Sequence, residues 1–142
     1  MAHLIGLLIL LIPCVVTDIR SRRIPLWYLL GFSVAGVPVN LFLLNVTLPE
    51  IGLGLLPGLI FILLSRLTKG AIGMGDAILI TAMGIFAGWS ETLTLLLAAC
   101  ILSSLTAAVL LIFFKKKMKD SIPFAPFLGI ACAAELVLSL VL

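Results

Sequence analysis

Two aspartates stand out in a chain with little charge: Asp18 in TDIRSRRIP and Asp76 in GMGDAIL. Two carboxylates held together cannot both ionise, so such a pair shares a proton. The ionised member can take a proton from water as general base. The protonated member can polarise a carbonyl and later help an amine leave. That chemistry is peptide hydrolysis by two aspartates, and its titration belongs to the pair. Gly73 and Gly75 remove side chains just before Asp76, so an extended substrate backbone can approach closely and the loop has wide conformational freedom. A plainer reading has Asp76 as the N-cap of a helix and Asp18 paired with Arg20 or Arg22. The residues by themselves leave both readings open.

The elements that must position the aspartates are apolar. Of 142 residues, 63% are hydrophobic and 11% charged, whereas soluble domains run at about half and a quarter. The expectation is an all-α, polytopic integral membrane protein with one transmembrane domain over 1–142. A spanning helix needs about 20 apolar residues. The runs predict six spans at 2–18, 25–44, 49–65, 76–89, 91–114 and 123–142. The stretch 77–114 is too long for one span, and Gly88-Trp89-Ser90-Glu91 supplies a break, with Ser90 placed to cap the next helix. Thr47-Leu48-Pro49-Glu50 fits a capping box with Pro in the first turn. No positive segment precedes the first apolar run and arginines follow it, as in a retained span.

Charge places the ends of these spans. Arg20, Arg22 and Arg23 lie in the first loop, Arg66 and Lys69 in the third, and Lys115, Lys116, Lys117 and Lys119 in the fifth. Those are all nine Lys and Arg residues. The positive-inside rule then puts the odd loops in the cytoplasm and both termini outside. Asp18 and Asp76 fall at cytoplasmic span ends, on the same side and at similar depth. The basic clusters fit lipid headgroups, and they are too few for nucleic-acid binding. Small-residue pairs at Gly31 and Ala35, Gly54 and Gly58, and Gly84 and Gly88 favour close helix approach.

The remaining polar residues carry less. Cys14, Cys100 and Cys132 lie in apolar runs with no C-x-x-C pair, so no metal site, cofactor or disulfide framework is expected. His3 has no ligand partner at metal spacing. Glu50 and Glu91 suit outer helix starts, and Asp120 balances the lysine run. Glu135 lies within the last span, where an ionisable group raises the question of function.

GMGD matches the G-x-G-D signature of intramembrane aspartyl proteases. TDIRSRRIP resembles the D-x-R…I-P pattern of type IV prepilin peptidases, and IPFAPFLG (122–129) resembles their P-F-G-P-F-L segment. The chain therefore resembles the type IV prepilin peptidase and preflagellin peptidase family. The resemblance implies an enzyme that removes a short basic leader from pilin-like or preflagellin-like precursors, usually after a glycine, at the cytoplasmic face of the cell membrane. It makes Asp18 and Asp76 the catalytic pair. It places Gly73, Gly75, Pro123, Phe124, Pro126 and Phe127 beside the substrate, and Asp120 as a possible contact for the basic leader. Larger members carry a zinc insert with two C-x-x-C pairs and methylate the new N-terminus. The absence of such pairs predicts cleavage without methylation and without a metal.

Three positions depart from the family pattern. Leu26 follows Pro25 where asparagine is common, Ile78 stands where G-D-x-K has lysine, and Ala125 replaces a glycine. Two other functions compete. A small transporter or channel subunit would use Asp18, Asp76 and Glu135 as a proton or cation relay, though it would want its acids near the bilayer midplane. A non-catalytic scaffold of a secretion machine would not need either aspartate.

Overall fold

The computed structural model describes residues 2–21, 23–43, 47–69, 73–113 and 123–141. Its elements are α1 (Ala2–Ser21), α2 (Leu26–Leu43), α3 (Leu48–Leu67), α4 (Met74–Phe113) and α5 (Ala125–Val141). All are helical, as the composition predicts. The helices His3–Ser21, Leu48–Leu67 and Met74–Phe113 are long and apolar enough to cross a membrane, and Leu26–Phe42 and Ala125–Val141 are shorter apolar helices. The chain is a multi-pass membrane protein. The lysine run and Asp120 lie outside the described residues.

One face of α1 turns inward. Leu4, Leu7, Leu11 and Cys14 are all buried, and their alternating spacing of three and four makes one stripe along a helix. The next position in that stripe is Asp18, which is only 7% exposed. In α4 the same rule links Asp76 to Leu79, Ile80 and Met83, all buried. Each aspartate thus ends an apolar stripe that packs into the core.

Pro13 lies inside α1. It has no N–H, so the carbonyl of Ile9 loses its helical donor. In an apolar medium that carbonyl needs another. The Tyr28 hydroxyl of α2 supplies it, donating to Ile9 O at 2.7 Å. Tyr28→Phe is therefore expected to cost about 1 kcal/mol, read as a lower unfolding temperature in detergent. An unchanged temperature would mean that the bond contributes nothing.

The long helix α4 is broken at Gly88, whose φ of 70° and ψ of −175° lie outside the helical region. Glycine reaches that conformation without a Cβ penalty. The break falls two residues before Ser90, which has helical backbone and is not the expected cap. An unbroken helix would offer Ile85 O the N–H of Trp89. Close to the break, buried Asn40 of α2 donates its Nδ2 to Ile85 O at 2.6 Å.

The capping box at the start of α3 is present, with Thr47 N donating to Glu50 Oε2 at 2.8 Å. The helix then packs backbone to backbone on the first half of α4. A Cβ added at Gly84 would run into the carbonyl oxygen of Gly54, and one at Gly54 into that of Gly84. Gly58 meets Thr81 in the same way. The pair Gly31 and Ala35 makes no such approach: a Cβ at Gly31 meets nothing, and Ala35 is exposed.

Candidate active site

Asp18 and Asp76 line one cavity of about 380 Å³, together with Gly73 and Gly75. They come from different helices, α1 and α4, and lie within electrostatic range of each other. Among the described residues, Arg23, Ile24, Leu26, Met74 and Ile78 also line it.

The local geometry of Asp76 differs from the N-cap reading. Ala77 N donates to Gly73 O at 3.2 Å, so Gly73 occupies the N-cap position and Asp76 sits inside the first turn of α4. A carboxylate there is favoured by the helix dipole. The missing side chain at Gly73 has a specific consequence. A Cβ at that position would stand 2.8 Å from Asp76 Oδ2 and would displace the carboxylate. At Gly75, a Cβ would come within 3.3 Å of the Ile24 side chain. The isoleucine of the I-P motif thus packs on the glycine-rich start of α4, joining two motifs that are remote in sequence.

Asp18 has a partner that sequence reasoning did not find. Its Oδ2 accepts the N–H of Ala125, the first residue of α5, at 3.2 Å. This residue is fully buried. Among the described residues, no ion pair joins Asp18 to an arginine. Arg22 lies outside the described residues, and Arg20 is exposed. Arg23 lines the cavity without an ion pair to either aspartate. The segment Pro123–Phe127 therefore reaches the site through the backbone of Ala125. Pro123, Phe124, Pro126 and Phe127 are not among the residues lining the aspartate cavity. Phe124 and Phe127 pack against the core. Pro126 instead lines an apolar groove between α1 and α5.

The other acids among the described residues gather at the opposite end of α1. His3 Nε2 lies 2.9 Å from Glu91 Oε1, a pairing the lone histidine did not suggest in the sequence. Glu135 lies within electrostatic range of both. His3 and Asp18 are separated by about 22 Å of helix. Two separate polar groups, rather than one midplane chain, make a poor relay. No group of His, Cys, Asp or Glu among the described residues is arranged to hold a metal ion.

The arrangement suits acid–base chemistry on a peptide bond: two carboxylates, a cleared approach on the glycine side, and an apolar wall beside them. A model of the type IV leader peptidase family matches residues 5–112. Curated relatives include the prepilin leader peptidase/N-methyltransferases of Burkholderia pseudomallei strains 1026b and K96243, each 28% identical over 137 residues. The alignments cover 92% of this chain and 44% of each relative, so the chain spans less than half the length of the curated relatives it matches. No solved structure matches the chain significantly. The family match includes both aspartates and most of the sequence, and the chain belongs to the type IV leader peptidase family.

Proposed function

We propose that this chain is a membrane aspartic endopeptidase that removes the short basic leader from type IV pilin-like or preflagellin-like precursors. The observation that carries the reading is the meeting of Asp18, Asp76, Gly73 and Gly75 at one cavity. One carboxylate takes a proton from water, and the resulting hydroxide attacks the scissile carbonyl carbon. The other, protonated, donates a hydrogen bond to the carbonyl oxygen. Collapse of the tetrahedral species breaks the C–N bond, and the amine leaves with a proton returned by the pair. Metal ions and cofactors have no part in this scheme.

Six spans in one domain over 1–142, with both termini outside, put the cavity at the cytoplasmic face. The confinement of all nine Lys and Arg residues to the odd loops supports that orientation. Six spans also suit the break at Gly88, since 40 helical residues would extend about 60 Å, twice the hydrocarbon thickness. The precursor's apolar helix would stay in the bilayer and its basic leader in the cytoplasm. Methylation is not part of the proposal, because Cys14, Cys100 and Cys132 form no C-x-x-C pair.

Co-expression with a panel of precursors carrying basic leaders tests the reading, with products weighed by mass spectrometry. Leader removal leaving an unmodified N-terminus is expected. A panel left wholly uncut would refute the peptidase, and a product heavier by one methyl group would refute the absence of methylation. Gly73→Ala is expected to lower kcat/KM by about 10²-fold by moving the Asp76 carboxylate. Wild-type turnover in that variant would show that the clearance at Gly73 is not needed.

A further inference from the structure

Two carboxylates that share one proton play different parts, and the surroundings of Asp18 and Asp76 differ. Asp18 stands in the last turn of α1, where the negative end of the helix dipole disfavours a carboxylate. Its burial opposes charge further. Against both effects, Asp18 Oδ2 accepts the N–H of Ala125 at 3.2 Å. Ala125 opens α5, so this N–H is one of the donors that the helix itself leaves free. It also brings the positive end of the α5 dipole to the carboxylate. Phe124 O accepts Phe127 N at 3.0 Å and Leu128 N at 3.4 Å, which closes the first turn of α5 and fixes the direction of the donor. Pro126 follows, with no N–H to compete. Among the described residues, no donor is bonded to Asp76.

We propose that the Ala125 N–H is a positioning group that holds Asp18 as the ionised member of the pair: Asp18 is the general base, and Asp76 carries the proton. The inference rests on the leader-peptidase reading and divides two roles that this reading leaves interchangeable. A hydrogen bond to the charged form of a carboxylate favours that form. With Oδ2 held by Ala125, Oδ1 takes a proton from water, hydroxide adds to the scissile carbonyl carbon, and the Asp76 proton passes to the carbonyl oxygen. On collapse the C–N bond breaks, the nitrogen takes the proton held by Asp18, and Asp76 recovers its own from the new carboxyl group. Among the described residues, the other charged or titratable groups facing Asp18 are Asp76 from α4, Arg23 from the segment after α1, and Cys14 one turn earlier on α1. Arg23 lines the cavity beside both aspartates and favours negative charge on either. A thiol is uncharged in the acid range. The donor from α5 is what separates the two carboxylates.

The test is the pH profile of kcat/KM for the full chain in detergent with one cleavable precursor. The acid limb of that profile reports the base, and the basic limb reports the acid. Ala125→lactic acid exchanges the N–H for an ester oxygen and adds no bulk. The acid limb is expected to move up by about one pH unit, which lowers cleavage about 10-fold on that limb, while the basic limb moves less. Phe127→phenyllactic acid removes another N–H of the same turn and should leave both limbs in place, even where it lowers the unfolding temperature. Ala125→Pro deletes the same donor at a helix position that suits proline, and it carries the test if the ester does not accumulate in membranes. If the basic limb moves instead, Asp76 is the base. If neither limb moves, or the Phe127 ester gives the same shift, the Ala125 donor does not set the roles. Each of these results overturns the inference while the peptidase stands. If wild type cuts no precursor of a wide panel, the leader-peptidase reading fails and takes the inference with it.

Discussion

Asp18→Asn and Asp76→Asn are each expected to lower leader cleavage by about 10³-fold or more, with the protein still present in membranes at wild-type level. Asparagine has nearly the shape of aspartate but can neither take a proton from water nor supply one as a carboxylic acid does. It also preserves the structural role at position 18. The Ala125 N–H needs an acceptor in a buried place, and the side-chain oxygen of asparagine provides one. Alanine would leave that N–H unpaired, at a cost of about 1–3 kcal/mol, and would confuse loss of chemistry with loss of fold. Cleavage and membrane level should therefore be measured together. If either asparagine variant cuts as fast as wild type, the two-aspartate mechanism is wrong.

Gly84→Val is expected to destabilise the fold by about 3 kcal/mol or more, at the upper end of overpacking costs. A side chain there meets the Gly54 carbonyl, which is backbone of the facing helix. No rotamer change relieves such a clash, so α3 and α4 must separate. Because α4 carries Asp76, activity should fall with stability. Gly52→Ala is the matching control: its Cβ would meet nothing within 4 Å, and replacing glycine within a helix stabilises by about 0.5–1 kcal/mol. Thermal unfolding in detergent distinguishes the two. Equal unfolding temperatures for both variants would mean that α3 and α4 do not approach as closely as described.

Helical periodicity made some of the site legible. The stripe from Leu4 through Cys14 carries Asp18 to the buried face of α1, and Asp76 shares a face with Leu79, Ile80 and Met83. Those relations follow from 3.6 residues per turn and require no partner helix. The expected span limits also fall close to the observed helix ends. The capping box at Thr47 and Glu50 was equally local. The break in the fourth apolar run was expected in the right tetrapeptide but at the wrong residue, because a positive φ at Gly88 ended the helical path before Ser90 could act as a cap.

What the sequence by itself determined is the helical, membrane-bound character of the chain and the motifs that carry its family resemblance. Only the tertiary structure decided what those aspartates meet. Ala125 bonds to Asp18 from the far end of the sequence, Ile24 packs on Gly75, and Leu26 and Ile78 share a wall with the carboxylates. It also decided that Gly54 and Gly84 touch while Gly31 and Ala35 do not. The physical reason is the apolar composition. In a soluble protein a helix marks its buried face by contrast with a polar one. Here 63% of the residues are hydrophobic, lipid is as acceptable to them as protein, and the choice of facing helices falls to close packing and to a few buried hydrogen bonds.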